Sequence, residues 1–117
     1  MTIARKVPLR RVNRQRRARE WERSYGSEER VSWVRSLPCS VPGCHARMSE
    51  NAHVSPEGDP SGMGRKGDAC QIIPLCARHH LELHRVGQRI FNDTHRIDVD
   101  LIAATIAYRW LALQEED

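Results

Sequence analysis

Residues 72–84, with the sequence IIPLCARHHLELH, carry most of the side chains that decide how this chain folds and what it can bind. The apolar run at 72–75 predicts a short buried strand. The helix-forming residues that follow place Cys76, His79, His80 and His84 within nine positions. Residues three or four apart share a helix face, so Cys76 and His79 can point one way while His80 and His84 point another. The spacing therefore predicts one helix that serves two metal sites.

Length and composition limit the class of protein. The chain has 117 residues, 5% aromatic residues and a mean hydropathy of −0.64, so its core is modest and we expect a metal or a partner to stabilise it. No stretch resembles a signal peptide or a membrane span, which predicts a cytoplasmic protein with no membrane partner. In the reducing cytoplasm, clustered cysteines and histidines favour metal binding over disulfide formation. The alternative is a secreted protein whose four cysteines form two disulfides.

The positive charge is concentrated at the N-terminus. Eight of the 19 basic residues and none of the 15 acidic ones lie within positions 1–19. This pattern is typical of a nucleic-acid partner, here DNA, and predicts phosphate contacts from the arm. The arm residues assigned to these contacts are Arg10, Arg11, Arg14, Arg16 and Arg17. With no hydrophobic period, residues 1–26 are predicted to be disordered or helical on DNA; the alternative is a solubilising tail.

A second pair of metal ligands precedes the helix. Cys39 and Cys44 enclose a proline and a glycine, which favour a tight turn that brings the two thiols together. With Cys76 and His79 they complete a tetrahedral Cys3His set of the kind that holds structural zinc. The alternative is two unrelated pairs of buried residues. Cys70 is interpreted as a buried small residue, and as the first replacement if His79 does not bind zinc.

A hairpin is predicted between the two cysteine pairs. Residues 51–54 predict a first strand that presents His53, and the Gly- and Pro-rich stretch at 55–68 predicts a loop. Arg65 and Lys66 in that loop are suited to phosphate contact, although a solvated loop is the alternative. Strand, loop, strand and helix form a hairpin packed on a helix, with His53 expected to face His80 and His84.

The flanking segments complete a domain at residues 27–117. Ser27 is a plausible N-cap for a helix that Pro38 ends, and Gly87 is suited to end the helix that carries the histidines. Residues 88–91 predict a brief extended segment. A last helix over residues 98–114 has an apolar side that suits core packing or a dimer contact.

Several of these pieces together resemble a known family. They are Cys39 with Cys44, NAHV at 51–54, GMGRKGD at 62–68 and IPLCARHHLELHRVG at 73–87. The combination is similar to HNH endonucleases of the ββα-metal (His-Me finger) superfamily, in particular the phage and prophage HNH proteins related to the recombination-enhancement nuclease Ref. The resemblance covers about residues 39–91. It implies a small α+β fold with a ββα-metal core, a structural zinc and flanking helices, encoded by a bacterium or by a phage acting in the host cytoplasm.

The resemblance also implies an activity. It predicts a metal-dependent DNA endonuclease or nickase, with His53 as the general base and with His80 and His84 holding Mg²⁺ or another divalent ion. DNA and proteins of recombination or replication are the implied partners. The alternative is a noncatalytic zinc-stabilised DNA-binding or scaffold module on the same fold.

Two departures from the family pattern concern the residues around the base. Ala52 stands where many members have a metal-binding Asp or His, so the ion has one protein ligand fewer or recruits another, for which Asp68 is the nearest candidate. The residue that orients the base, usually Asn, is replaced by Gln71 or by Asp68, with Asp68 preferred.

Overall fold

A computed structural model describes residues 13–55 and 68–115 of the chain. The predicted disorder of residues 1–12 and the predicted phosphate contacts of Arg10, Arg11, Arg65 and Lys66 lie outside these residues. The elements, in order, are α1 (Arg14–Tyr25), α2 (Glu28–Ser36), β1 (Glu50–His53), β2 (Ile72–Leu75), α3 (Ala77–Val86), α4 (Gln88–His95) and α5 (Val99–Gln114). The fold is a small mixed α+β one, as predicted. In the described ranges no helix combines the length and the apolar character that a membrane crossing needs.

Helices α1 and α2 are each opened by a polar cap. The Asn13 side chain accepts a hydrogen bond from the main-chain N–H of Arg16 at the start of α1. Ser27 does the same for Arg30 at the start of α2, at 3.1 Å, which confirms the predicted N-cap. Glu28 follows Ser27 in the first turn, where a carboxylate is favoured by the helix dipole. The local sequence therefore accounts for both helix starts.

Gly26 sets the angle between α1 and α2. Its φ is +86°, a conformation that an L side chain rarely adopts. A Cβ at this position would lie 2.9 Å from Cδ of Arg30 and 3.5 Å from Cβ of Ala69. A side chain here would therefore force either the Arg30 side chain or α1 to shift.

The two strands form an antiparallel sheet in which His53 lies opposite Ile72 and Ala52 lies opposite Ile73. Directly opposed residues share a face and neighbours along a strand alternate. The face of Ala52 and Ile73 packs on a core cluster that also contains Leu75, Leu83, Phe91 and Val99. The face of Ile72 packs on Val34 of α2 and Ile106 of α5. Helices thus cover both faces of the hairpin.

Gly87, with φ +82°, ends α3 by donating its N–H to Leu83 at 2.9 Å, as expected. The chain then enters α4 at once, so the predicted extended segment at 88–91 is wrong. The helical turn is closed by the N–H of Phe91, which bonds the Gly87 carbonyl while the Phe91 ring lies fully buried. The predicted last helix is confirmed as α5, and Asp98 caps its start by accepting from two main-chain N–H groups.

Candidate functional site

The turn at residues 39–44, which carries Cys39 and Cys44 and is called the knuckle below, is fixed to the end of β2. The N–H of Cys44 bonds the carbonyl of Val41 at 3.1 Å and closes the turn, with φ +79° at the glycine between them. Ser40 donates both its N–H and its hydroxyl to the Pro74 carbonyl, at 2.9 and 2.8 Å. These bonds hold the knuckle at the point where the chain leaves β2 for α3.

The four predicted zinc ligands meet at this point. Cys76 is the N-cap of α3 and His79 lies in its first turn. The ligand atoms of Cys39, Cys44, Cys76 and His79 all lie within 4.8 Å of one another. His79 Nδ1 lies 3.4 Å from Cys39 Sγ and 3.2 Å from Cys76 Sγ, and the Cys44 and Cys76 sulfurs are 3.9 Å apart.

These separations suit a tetrahedral ion. Ligands at zinc bond lengths lie about 3.8 Å apart for two sulfurs and about 3.6 Å apart for sulfur and nitrogen. The Cys3His cluster can therefore hold a metal ion such as zinc. Cys70 lies outside this group. It is exposed in the 3₁₀ turn Ala69–Gln71, so its interpretation as a buried residue is wrong: a turn on the surface leaves its side chain uncovered.

The protonation of the cluster follows from its surroundings. Burial raises the pKa of the Cys39 thiol to about 11. A hydrogen bond from the main chain of Ala46 is the largest cause that lowers the pKa of Cys44. Burial, followed by the charge of Arg78, lowers the pKa of His79. At neutral pH His79 is thus a neutral imidazole ready to bind a metal, whereas Cys39 must give up a proton to do so.

A second polar group lies directly behind His79. His95 donates from Nε2 to Glu82 at 2.8 Å, and one ligand atom from each of His79, Glu82 and His95 lies within 4.8 Å of the others. The His79 and His95 rings meet edge to face with centroids 5.2 Å apart. Ligating histidines usually have such a polar partner on their outer side, and it fixes the orientation of the ring.

The other face of α3 carries His80 and His84, as the spacing predicted. Their Nε2 atoms lie 3.1 Å apart, and Nδ1 of His80 lies 2.8 Å from a carboxylate oxygen of Glu50. A carboxylate only accepts, so the neutral His80 ring carries its proton on Nδ1 and its lone pair on Nε2. His84 therefore donates its Nε2–H to His80 Nε2, and both nitrogens can face a common ion once His84 carries its proton on Nδ1 instead.

His53 is held by α1. Its Nε2 lies 2.7 Å from the main-chain carbonyl of Ser24, and its ring meets the Tyr25 ring edge-on with centroids 5.0 Å apart. Because the carbonyl can only accept, the neutral imidazole of His53 carries its proton on Nε2 and its lone pair on Nδ1.

His53 and the α3 histidines belong to opposite faces of the sheet. Glu50, three positions before His53 on β1, leaves the strand on the side of α3 and bonds His80. His53 leaves it on the side of Ile72, towards α1. The expectation that His80 and His84 face His53 across the hairpin is corrected by this register.

Asp68 precedes the 3₁₀ turn before β2, and Gln71 is the last residue of that turn. Gln71 accepts from the N–H of Asp68 at 3.0 Å, and its main-chain carbonyl accepts from Val54 at 2.8 Å. The exposed Asp68 carboxylate lies 3.9 Å from Nη1 of Arg23. The structure thus places both candidates next to the strand end, while the carbonyl that orients His53 comes from α1.

A family described as "Protein of unknown function (DUF968)" matches residues 14–113. The chain belongs to the DUF968 family. The uncharacterized protein YdfU of Escherichia coli (strain K12) is 32% identical to it over 80 residues, which are 68% of this chain and 22% of that relative. No solved structure matches. Neither name assigns an activity, so a function for this DUF968 domain depends on the site itself.

The family match begins at the first residue of α1, so the basic helix is part of the DUF968 domain. Its exposed Arg14, Arg16 and Arg17 are three of the predicted phosphate contacts. The sequence did not indicate three other groups: Glu50, the Ser24 carbonyl and the Glu82–His95 pair. Residues two apart on a strand share a face, so the position of Ala52 could have indicated that Glu50 also leaves β1 on the α3 side. No sequence signal marks a main-chain carbonyl.

Proposed function

We propose that this DUF968 domain is a metal-dependent DNA endonuclease or nickase that hydrolyses phosphodiester bonds. The observation that carries the proposal is the pair of Nε2 atoms on His80 and His84, 3.1 Å apart, with Glu50 behind His80. Two imidazole nitrogens with a carboxylate partner form a common binding unit for a catalytic divalent ion. Such an ion, Mg²⁺ or another, supplies charge stabilisation for the phosphoryl and leaving oxygens.

His53 is the general base in this proposal. The Ser24 carbonyl keeps its proton on Nε2, which leaves Nδ1 able to accept a proton from the attacking water. The order β1, β2, α3 beside a Cys3His cluster supports the ββα-metal assignment that the sequence suggested. A zinc ion held by that cluster would have a structural role, since four protein ligands would leave no open position for a substrate or water.

In this proposal the substrate reaches both groups from the edge of the sheet. In the described ranges the sheet has two strands, so β1 is an edge strand, although helices cover both of its faces. A DNA strand lying along the outer edge of β1 would meet His53 from one face and the His80 and His84 pair from the other. The exposed arginines of α1 supply sequence-independent attraction to phosphates on the His53 side.

Incubation with supercoiled plasmid tests the activity. With zinc-loaded protein and added Mg²⁺ or Mn²⁺ we expect nicked or linear product, whereas His53→Ala abolishes cutting in a variant that still folds and binds zinc. His45→Ala, at an exposed histidine outside both clusters, is the matched control and keeps cutting. Plasmid that stays intact with the wild-type protein in every metal tried would overturn the proposal.

A noncatalytic zinc-stabilised DNA-binding or scaffold module is the second candidate. Ala52 favours it, because this residue is fully buried at the position nearest the base and offers no ligand. So does the separation of His53 from the α3 histidines by the sheet. Metal content distinguishes the two candidates: an enzyme binds zinc and a second, exchangeable ion that His80→Ala removes, whereas a module binds zinc alone.

A further inference from the structure

Helix α1 has two ends of different character. Its exposed positions include Arg14, Arg16, Arg17, Arg19 and Arg23, with Arg16 paired to Glu20 at 3.2 Å. Its last turn is buried against the hairpin: Ser24 is 1% exposed and its carbonyl bonds His53. One helix thus joins a cationic surface to the ring of the proposed base.

The buried end of α1 contacts the surroundings of His53 in more than one place. The Tyr25 ring packs edge-on against the imidazole and in turn contacts the Trp21 ring, with centroids 5.7 Å apart. Arg23 lies 3.9 Å from Asp68 at the turn before β2. A displacement of α1 would therefore change the hydrogen bond, the ring contact and this ion pair together.

Gly26 fixes where that end of α1 lies. Its φ is positive, and a Cβ there would lie 2.9 Å from Arg30 Cδ, so a side chain fits only if its neighbours shift. Gly87 has almost the same φ, +82° against +86°, but nothing lies within 4 Å of where its Cβ would be. The chain therefore offers two glycines with positive φ, of which only Gly26 has neighbours that a side chain would meet.

We propose that α1 couples the binding of a nucleic-acid duplex to the position and tautomer of His53. The inference rests on the proposed function for the role of His53 as a base, but the coupling is a property of the helix and can be read from the imidazole directly. A duplex that binds the arginines and shifts α1 changes the 2.7 Å bond between Ser24 and His53. By linkage, the state of His53 then affects duplex affinity.

The test observes the His53 ring in the full-length, zinc-loaded chain labelled with ¹⁵N. Long-range ¹H–¹⁵N spectra report the tautomer of each histidine, and His53→Gln identifies the signals of His53. We expect the Nε2–H tautomer in the free chain. A short mixed-sequence DNA duplex, added without a catalytic ion so that nothing is cut, shifts these signals, and the shift disappears at high salt as the duplex dissociates.

Two variants separate coupling from binding. Gly26→Ala should retain duplex binding with the same salt dependence, because every arginine remains, but its His53 signals should no longer respond. Gly87→Ala, at the other glycine with a positive φ, should respond to the duplex as the wild type does. If Gly26→Ala fails to fold, Tyr25→Leu keeps an apolar side chain but removes the ring contacts with His53 and Trp21, and it should reduce the response of the His53 signals to the duplex. Replacing Arg14, Arg16, Arg17 and Arg19 by Gln should weaken binding and leave the free spectrum unchanged.

Bound duplex with unchanged His53 signals would overturn the coupling, as would a wild-type response in both Gly26→Ala and Tyr25→Leu. The two proposals fail separately. A responsive His53 in a chain that cuts no plasmid would overturn the proposed function alone. Cutting by a chain whose His53 ignores the duplex would overturn the coupling alone.

Discussion

Cys44 and Cys76 are 32 residues apart in the sequence, and their sulfur atoms are 3.9 Å apart in the fold. The contact joins the knuckle to the start of α3, on either side of a hairpin that has two short strands in the described ranges. Hairpins of this size are marginal alone. An ion bound in the Cys3His cluster would therefore stabilise the segment between the two cysteines, which contains His53, Asp68 and Gln71.

Replacing Cys44 by Ser tests this role. Loss of one ligand should remove the ion and destabilise the fold by about 3 kcal/mol or more, which for a domain of this size lowers the melting temperature by roughly 10 °C or more. Calorimetry together with metal analysis measures both effects. Cys70→Ser, at the exposed cysteine outside the cluster, should retain one zinc and the wild-type melting temperature. An equal loss of zinc and of melting temperature in both variants would contradict the Cys3His assignment.

The zinc affinity should increase with pH, because Cys39 must lose its proton to bind the ion. Burial raises the pKa of this thiol to about 11, so in the metal-free chain the thiol still carries its proton at neutral pH. Zinc requires the thiolate, and displacement of this proton alone should raise the apparent affinity about tenfold per pH unit between pH 7 and 9. Chelator competition at several pH values measures the slope. A flat profile would show that Cys39 is not a ligand.

Stability of the metal-free chain should change with pH in the opposite direction. A pKa raised on folding means that the folded state holds the proton more tightly. The contribution of the protonated Cys39 thiol to the free energy of unfolding is therefore fully present below the ordinary pKa of 9.0. It is lost as the pH rises towards about 11. Urea unfolding of the chelator-treated protein across this range measures the effect. Stability that rises from pH 9 to 11 would contradict the burial of Cys39.

Glu50→Gln should weaken the proposed second metal site. The amide removes the negative charge that polarises His80, and loss of such a partner typically costs 10- to 100-fold in metal affinity. Titration of the zinc-loaded chain with Mn²⁺, followed by calorimetry, measures the change. Glu115→Gln, at an exposed carboxylate at the end of α5, should leave Mn²⁺ affinity unchanged. An unchanged affinity in Glu50→Gln would leave the contact between Glu50 and His80 without a metal-binding role.

Glu82→Gln should weaken zinc rather than Mn²⁺ binding. The pair that Glu82 forms with His95 lies against His79, so its loss changes the polar surroundings of the ligand ring. We expect a fall in zinc affinity of about 10- to 100-fold in chelator competition. The substitution His95→Phe keeps an aromatic ring against Phe91 but removes the partner of Glu82, and it should lower zinc affinity by a similar factor. Unchanged zinc affinity in both variants would mean that the pair only packs against the cluster.

The zinc cluster could be predicted from the sequence because its determinants are local and chemical. A proline and a glycine fix the turn at Cys44, and one helical turn fixes the relation of Cys76 to His79. The starts of α2 and α5 were predictable for the same reason, since Ser27 and Asp98 cap them directly. In each case neighbouring residues determine the structure.

The position of His53 could not be predicted in this way. In a strand, side chains alternate between faces, so the sequence places His53 and Ala52 on opposite sides but does not say which side α3 covers. Helices cover both faces here, which removes the usual apolar signal. Helix α4 was missed because residues 88–91 are too few to show a helical period, and Ile90 remains exposed while Phe91 is buried.

The contact between Cys44 and Cys76 also bears on how homologous chains can vary in length. A metal that joins these residues closes a loop of 32 residues, and the entropy of closing a flexible loop grows only with the logarithm of its length. Ten additional residues between β1 and β2 would cost about 0.2 kcal/mol in closure. Insertions there should therefore be nearly neutral for metal binding, which makes this interval suitable for grafting a reporter peptide into the domain.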